Sequence, residues 1–241
     1  MTETEEETEE EIQQAAVRHA RSIKKKFAKS VTDKTRYPKE ENPVSVFMAG
    51  SPGAGKTEAS KALLETFDNE VIRIDADDYR DEFKEQGYSG DNSWLFQPAV
   101  SILVEKIHDL VIEQRQSFVL DGTLTKYDKA LKNIERSIQK GRQVHIIYVY
   151  QDPLRAWEFV KAREVVEGRK IPRDRFIEQY FTARDCVNRL KQHFGSLVKV
   201  DLLLQDRNNK LSGYQGNISN IDSHVDEKYT ASSLESLLSS D

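Results

Sequence analysis

The chain has 241 residues, 37% of them hydrophobic and 32% charged, so it is long enough and apolar enough to bury one core. Its 36 Lys and Arg residues against 41 Asp and Glu residues give a formal net charge of −5. Seven of the acidic residues are Glu within residues 1–11, so the remainder, with 36 basic and 34 acidic residues, is close to neutral. This balance disfavours a uniformly basic nucleic-acid-binding protein.

Three features bear on the compartment. No apolar run approaches the roughly 20 residues that a membrane-spanning helix needs. The N-terminus is acidic, whereas a secretory signal begins with basic residues. Cys186 is the single cysteine, so the chain cannot form an internal disulfide. We therefore expect a soluble protein of a reducing compartment, with the cytoplasm as its location and no membrane partner.

The first 43 residues form a segment of their own. Residues 1–9 are predicted to be a disordered acidic tail. From Glu10 to about Ser30, apolar residues recur at helical spacing with Lys and Arg between them. The favoured interpretation is a helix docked on the core with a solvated basic face, and the alternative is a helix that binds a partner or nucleic acid. A polar linker over Thr35–Pro43 follows.

The next region, residues 44–204, alternates short apolar runs with helical patterns. The predicted strands are Val44–Ala49, Val71–Ile74, Ser117–Leu120, Val144–Tyr150 and Leu197–Leu203, and the predicted helices lie near residues 55–67, 95–115, 126–140, 153–167 and 173–194. Such alternation predicts an α/β three-layer fold, with a five-stranded parallel sheet and helices on both faces. Residues 205–241 are predicted to be a polar extension with a short helix over Ala231–Leu238.

A phosphate-binding loop directly follows the first strand. The residues Gly50-Ser51-Pro52-Gly53-Ala54-Gly55-Lys56-Thr57 match the pattern G-x4-G-K-[ST] and precede a helical segment. Glycines let backbone N–H groups wrap around phosphate oxygens, and the helix N-terminus adds partial positive charge. Lys56 would reach the β- and γ-phosphates, and the Thr57 hydroxyl would ligate Mg²⁺. The segment therefore predicts binding of ATP with Mg²⁺.

Motifs of two other classes of nucleotide-binding protein, GTPases and transport ATPases, are incomplete or misplaced in this sequence. The guanine-reading pattern N-K-x-D begins at Asn209-Lys210 but lacks its Asp. The segment Leu211–Gly216 is similar to the signature loop of transport ATPases, but it lies far behind the Asp-ended strand that it would have to precede. Phosphotransferases acting on small molecules remain, and their size matches this chain.

A phosphotransferase also needs a carboxylate that accepts the proton of the acceptor hydroxyl. Asp75, Asp77 and Asp78 follow the second predicted strand, at the sheet edge where ligands bind. Strand alternation would place Asp75 and Asp77 on one face. Alternatively, Asp77 or Asp78 could simply cap the next helix. The residues alone leave the choice among the three open.

The third strand ends in Asp121, Gly122 and Thr123. Asp121 has three interpretations, namely a carboxylate near Mg²⁺, a hydrogen-bond acceptor for the phosphate acceptor, or a turn residue without a ligand. Thr123 would direct its hydroxyl into the same crevice. Further along, four arginines lie around Gly168 and could stabilise charge on the transferred phosphoryl group, but the pattern does not distinguish them: Arg163, Arg169, Arg173 and Arg175.

Four parts of the sequence form one pattern: the loop Gly50–Thr57, the segment Ile74–Asp77, the segment Leu120–Thr123, and Arg163 with Arg169-x-x-Pro172. Together they resemble the zeta-toxin family. This family comprises P-loop kinases of toxin–antitoxin systems that phosphorylate the 3′-hydroxyl of UDP-N-acetylglucosamine. The resemblance spans about residues 44–204 and implies a P-loop kinase-like fold. It also implies a nucleotide-sugar acceptor and an antitoxin partner.

By this resemblance Asp77 is the general base, Lys56 binds phosphate, and Arg163 and Arg169 are the lid arginines. The resemblance also assigns acceptor binding to Asp121 and Thr123, and Arg80 is grouped with Asp77 as a substrate-binding residue. The family often has Glu where Asp121 stands and Arg where Thr125 stands, so the acceptor could be another nucleotide sugar, a nucleotide or a small metabolite. The alternative functions are an ATP-bound interaction module without turnover and a nucleic-acid-end kinase.

Overall fold

The structure is a computed structural model and describes residues 8–239. Its α-helices are α1 (Glu9–Val31), α2 (Lys56–Leu64), α3 (Ser93–Glu113), α4 (Tyr127–Gln139), α5 (Pro153–Glu167), α6 (Arg173–Phe194) and α7 (Ala231–Leu237). Its β-strands are β1 (Val44–Ala49), β2 (Ile72–Asp75), β3 (Phe118–Asp121), β4 (Gln143–Tyr150), β5 (Val198–Gln205) and β6 (Leu211–Gln215). Two 3₁₀ segments span Asp77–Gln86 and Gly195–Leu197.

One sheet contains all these strands in the order β2-β3-β1-β4-β5-β6. The five strands predicted from apolar runs are all present and pair in parallel. The α/β three-layer prediction is therefore confirmed. The predicted number of strands is wrong, because β6 adds a sixth strand that pairs antiparallel with β5.

The edge strand β6 lies in the region predicted to be a polar extension. Its residues are mostly exposed, so they carry no alternation of buried and exposed positions. Gly213 in its centre also weakens the strand pattern. An edge strand in contact with solvent needs little apolar surface, which explains why the sequence pattern did not reveal it.

The sheet carries helices on both faces. Along β1, Phe47 belongs to the larger core cluster, which includes residues of α1, α3, α4 and α6. Val46 and Met48 point to the opposite face, where they form a smaller cluster against which Leu63 of α2 packs. This alternation follows from the period of two along a strand. Among residues 8–239, none of the helices is long and apolar enough to cross a bilayer.

The helix α1 lies along α3 and buries Ala16, Ala20 and Ala28. Its exposed surface carries the basic residues Arg18, Arg21, Lys25, Lys26 and Lys29. Most of the predicted disordered tail, residues 1–7, lies outside the described residues. Thr8 and Glu9 depart from that prediction, because Thr8 caps α1 through a capping box with Glu11 and Glu9 begins the helix.

The carboxyl ends of the parallel strands meet at one edge of the sheet. β1 leads into the phosphate loop, and β2 and β3 end at Asp75 and Asp121, which are directly opposite each other in the parallel register. Open α/β sheets bind ligands at this edge. The fold therefore brings the predicted nucleotide loop and the predicted carboxylates to the same place.

Candidate active site

The loop from Gly50 to Gly55 connects β1 to α2 and has a backbone that only glycine tolerates at key positions. Gly50 and Gly53 have φ angles of 138° and 73°. A Cβ atom on Gly53 would lie 2.1 Å from the backbone oxygen of Ala156, and one on Gly50 would lie 2.4 Å from that of Val149. The glycines therefore let the loop pack directly against the end of β4 and against α5.

Lys56 begins α2 and reaches back over the loop. Its Nζ donates a hydrogen bond to the Ser51 carbonyl oxygen at 2.6 Å. Burial lowers the pKa of Lys56 to about 8, although Asp121 acts in the opposite direction. Thr57 follows on the first helical turn and is half-buried. An anion on the loop would meet the lysine charge, the backbone N–H groups and the Thr57 hydroxyl together.

Asp75 and Asp121 are joined by a basic residue that sequence reasoning missed. Arg73 on β2 forms ion pairs with Asp75, with Asp121 at 2.8 Å and with Asp78 at 2.6 Å. Ser60 of α2 also donates to Asp121 Oδ2 at 2.8 Å. The only available signal was an arginine between two isoleucines of a buried strand. These contacts hold Asp121 against α2, beside Lys56.

Asp75 is buried at the end of β2. Burial raises its pKa to about 6, and the neighbouring charges of Asp77 and Asp121 add to this effect. Its Oδ1 accepts a hydrogen bond from the Asp77 backbone N–H at 2.9 Å. Asp75 therefore serves the turn after β2. The alternative in which Asp77 or Asp78 caps the next helix is wrong, because Ala76 occupies the cap position and Asp77 begins the 3₁₀ segment. The expectation that Asp75 and Asp77 share a strand face is wrong, because β2 ends at Asp75.

Asp77 begins the 3₁₀ segment and is held by two arginines. Its Oδ1 accepts from Arg80 Nε at 3.1 Å, and its Oδ2 forms an ion pair with Arg169. Burial opposes ionisation, but Arg169 and Arg80 outweigh it and keep the pKa of Asp77 below its ordinary value. These contacts favour the ionised form of Asp77, whose charge already has a partner in Arg169.

Arg80 lies deeper than its expected role in substrate binding suggests. It is 4% exposed and donates to the Ser93 carbonyl oxygen at 3.0 Å and to Gln97 Oε1 at 2.8 Å. Both partners belong to α3. Arg80 thus fastens the 3₁₀ segment to α3 and orients Asp77.

The structure distinguishes the four arginines near Gly168. Arg169 contacts Asp77, as described above. Arg163 on α5 pairs with Glu167 at 3.1 Å, and its charge acts on both Lys56 and Asp77. The two others have partners elsewhere, with Arg173 donating to Ser239 Oγ at 2.7 Å and Arg175 pairing with Glu178 at 2.9 Å.

Thr123 lies next to the start of the phosphate loop. Its carbonyl oxygen accepts from the Gly50 N–H at 3.3 Å, and its hydroxyl lies 3.3 Å from that of Thr125. Leu124 between them has a φ of 54°. The turn after β3 therefore places two hydroxyl groups beside the loop.

Comparisons with known proteins identify the family and the fold. Toxin PezT of Streptococcus pneumoniae serotype 4 (strain ATCC BAA-334 / TIGR4) is 24% identical over 152 residues, which cover 61% of this chain and 56% of PezT, a little more than half its length. A structure of the PezAT chromosomal toxin–antitoxin system of Streptococcus pneumoniae superposes with a TM-score of 0.69 at 16% identity, covering 95% of both chains.

A second solved structure is the AvrRxo1-ORF1:-ORF2 complex with ATP. It has a TM-score of 0.57 at 16% identity and covers 85% of this chain and 65% of that one. At these identities the two structures support the fold alone. The zeta-toxin family model matches residues 28–219, which include every candidate site residue. The chain therefore belongs to the zeta-toxin family.

Proposed function

We propose that the chain is an ATP-dependent kinase that transfers the γ-phosphate to a hydroxyl of UDP-N-acetylglucosamine or a related nucleotide sugar. One observation carries the proposal, namely that the Asp77 carboxylate, paired with Arg80 and Arg169, directly follows β2 at the sheet edge that also bears the phosphate loop. A loop that binds phosphate without such a carboxylate would suit a nucleotide-dependent switch equally well. The carboxylate adds the group that a phosphotransferase needs for its acceptor.

The nucleotide side rests on the phosphate loop. Its backbone N–H groups and Lys56 supply positive charge for the β- and γ-phosphates. The related AvrRxo1 complex was solved with ATP, which supports ATP as the phosphate donor here. We expect the phosphates to displace Lys56 Nζ from the Ser51 carbonyl oxygen.

The loop also fits Mg²⁺. Residues 8–239 hold no cluster of three or more His, Cys, Asp or Glu side chains that could bind a metal ion. The Thr57 hydroxyl, half-buried on the first turn of α2, would hold Mg²⁺ together with phosphate oxygens and water, because this ion keeps several waters and commonly binds substrate phosphates. When bound, Mg²⁺ would neutralise charge on the phosphates.

Asp77 would accept the proton of the acceptor hydroxyl. As this O–H bond breaks, the acceptor oxygen forms a bond to the γ-phosphorus, and the bond from phosphorus to the β–γ bridging oxygen breaks to release ADP. The low pKa of Asp77 keeps it ionised before the acceptor binds. Because Asp77 Oδ2 is already paired with Arg169, we expect that arginine to move to the γ-phosphate when ATP binds, which frees Oδ2 for the acceptor proton while Oδ1 stays with Arg80.

Arg163 and Arg169 would act on the transferred group. Negative charge spreads over its equatorial oxygens in the transition state, and arginines stabilise it there. Arg163 pairs with Glu167 in an exposed position, and exposed ion pairs are weak, so it can turn towards the phosphate at little cost.

We expect Asp121, Thr123 and Arg80 to form the acceptor side of the site. The contacts of Asp121 and Arg80 indicate that these two residues act indirectly. Asp121 is occupied by Arg73 and Ser60, so it would shape the pocket more than bind the sugar. Arg80 would act through Asp77. Thr123 with neighbouring Thr125 offers hydroxyl groups to a polar acceptor.

The proposal extends to a partner and a location. The related PezT chain comes from a toxin–antitoxin system, and on this basis we propose that an antitoxin protein restrains this chain as well. Because the reaction would consume ATP, we place it in the cytoplasm.

The test is an acceptor screen with purified protein and γ-labelled ATP. The panel contains UDP-N-acetylglucosamine, other nucleotide sugars, nucleotides and a DNA or RNA end. Transfer of label to a nucleotide sugar supports the proposal. ATP binding without acceptor-dependent transfer would favour an interaction module, and label on a nucleic-acid end would favour the other kinase class.

A further inference from the structure

The turn between β5 and β6 lies against the phosphate loop. Asn209 in this turn directs its Nδ2 at the Gly53 carbonyl oxygen, 3.4 Å away and 156 residues earlier in the chain. A Cβ atom on Gly55 would lie 3.4 Å from Asn209 Cγ, so the two segments are in van der Waals contact. The hairpin that sequence analysis missed therefore touches the centre of the nucleotide loop.

Gln151 fixes the orientation of the Asn209 amide. It is buried at the end of β4, and its Nε2 donates to Asn209 Oδ1 at 2.8 Å and to the Asp206 carbonyl oxygen at 2.6 Å. Its own Oε1 accepts from the Asp152 N–H at 2.9 Å. With its oxygen bound to Gln151, the Asn209 amide can only present its NH₂ group to Gly53.

The turn itself is preformed. Asp206 Oδ1 accepts from the backbone N–H groups of Asn208 at 2.7 Å and Lys210 at 2.9 Å. Asn209 has a φ of 54°, a left-handed conformation that asparagine adopts more readily than most residues. The amide is thus held by the turn from one side and by Gln151 from the other.

Gly53 is enclosed on both sides. Its Cα approaches the backbone oxygen of Ala156 on α5 so closely that no side chain fits, and its carbonyl oxygen faces Asn209. In a planar trans peptide the C=O of Gly53 and the N–H of Ala54 point in opposite directions. The Ala54 N–H accordingly points into the loop, where it shares the Ser51 carbonyl oxygen with Lys56 Nζ.

We propose that Asn209, oriented by Gln151, is a positioning residue that holds the Gly53–Ala54 peptide in the orientation in which the Ala54 N–H donates to the Ser51 carbonyl oxygen. A flip of this peptide would break that hydrogen bond and direct the Gly53 carbonyl oxygen into the loop, where it would repel a phosphate. The inference rests on the proposed function only in taking the ligand of the loop to be a nucleotide phosphate chain.

The test compares Asn209→Gly with Asn217→Gly by calorimetric titration. Glycine tolerates a left-handed φ, so Asn209→Gly removes the amide without straining the turn. Asn217 is an exposed asparagine with a φ of 49° in the same C-terminal region and is the matched control. A second variant, Asn209→Asp, keeps the shape but replaces the NH₂ donor by a carboxylate oxygen.

We expect Asn209→Gly to weaken ADP and inorganic triphosphate alike, about 3- to 10-fold, which is the usual contribution of one hydrogen bond. Asn209→Asp should weaken both further, and Asn217→Gly should change neither. A thermal melt on each variant excludes loss of folding as the cause. A loss confined to ADP would overturn the inference, because it would place Asn209 at the nucleoside instead of the phosphates.

Equal binding by wild type and Asn209→Gly would also overturn it. The proposed function would fail differently, through failure of the wild-type protein to bind ADP or to transfer label to any acceptor.

Discussion

Two buried polar networks lie at opposite ends of the same sheet, and both centre on an arginine. At the amino ends of the strands, Arg142 donates to Ser45 Oγ at 2.6 Å and to the carbonyl oxygens of Val44 and Gln116 at 3.0 and 2.6 Å. At the carboxyl ends, Arg73 pairs with three carboxylates. One network uses neutral acceptors, and the other concentrates opposite charges beside an open loop.

The comparison indicates that the amino-end network stabilises the fold, whereas the carboxyl-end network sets the charges of the candidate site. Neighbouring Gln116 donates to the carbonyl oxygens of Thr32 and Tyr37, so the amino-end network fastens the linker after α1 to the sheet. The carboxyl-end network instead shifts pKa values in both directions, upward for Asp75 and downward for Asp77. Such opposed shifts within one cluster are typical of catalytic sites.

The largest effect on activity is expected from Lys56→Ala. This change removes the side-chain charge that the loop offers to the phosphates, so we expect phosphotransfer to fall by about 10³-fold or more. The melting temperature should stay near that of wild type, because Lys56 does not belong to a core cluster. Lys61→Ala, an exposed lysine on the same helix, is the control. Undiminished turnover in folded Lys56→Ala would remove the kinase assignment.

A smaller effect is expected from the lid arginines. Arg163→Ala and Arg169→Ala should each lower kcat by about 10²-fold while weakening ATP binding less, because phosphoryl charge peaks in the transition state. Steady-state kinetics would include Arg173→Ala and Arg175→Ala, whose side chains contact Ser239 and Glu178 instead. If these two controls lose as much kcat, the assignment of the lid residues is wrong.

The pH dependence of ATP binding should show the lowered pKa of Lys56. Burial lowers this pKa to about 8, so the free enzyme loses the lysine proton as the pH rises through that value. We expect ATP affinity to be constant below about pH 8 and to approach a tenfold loss per pH unit above it. Titrations of wild type and Lys56→Ala should differ, since the variant lacks this transition. The same slope in both proteins would assign it to another group.

At the other end of the sheet, Arg142→Met should affect stability alone. It leaves a hydroxyl and two carbonyl oxygens without their donor, which costs about 1–3 kcal/mol of unfolding free energy per buried group. At about 2–4 °C per kcal/mol, the melting temperature should fall by roughly 6 °C or more. At a temperature where the variant is folded, kcat should equal that of wild type. A reduced kcat there would show that the two networks are coupled.

The sequence predicted well those parts of the molecule that follow from local patterns. The buried parallel strands are continuous apolar runs, and the phosphate loop has a fixed spacing, so both could be read directly. β6 could not, because its residues are exposed and Gly213 interrupts them. The edge strand and its turn are recognised only in the structure, from the antiparallel pairing of β6 with β5.

The site was predicted less completely because its contacts join distant segments. Arg73 meets Asp121, 48 residues away, and Arg169 meets Asp77, 92 residues away. The spacing of apolar residues along the sequence gives no information about such distant pairs. Arg80 illustrates the same difficulty. Its contact with Asp77 spans three residues and could be predicted, but its contacts with α3 join distant parts of the sequence and could not.

The most direct measurement is transfer of label from γ-labelled ATP to UDP-N-acetylglucosamine by wild type, Asp77→Asn and Asp78→Asn. Asp78 is the matched control, because it is exposed and pairs with Arg73 on the outer side of the same turn. We predict transfer by wild type, a loss of about 10²–10⁴-fold in Asp77→Asn and most of the rate retained in Asp78→Asn. Comparable rates for wild type and Asp77→Asn would contradict the assignment of Asp77 as the general base.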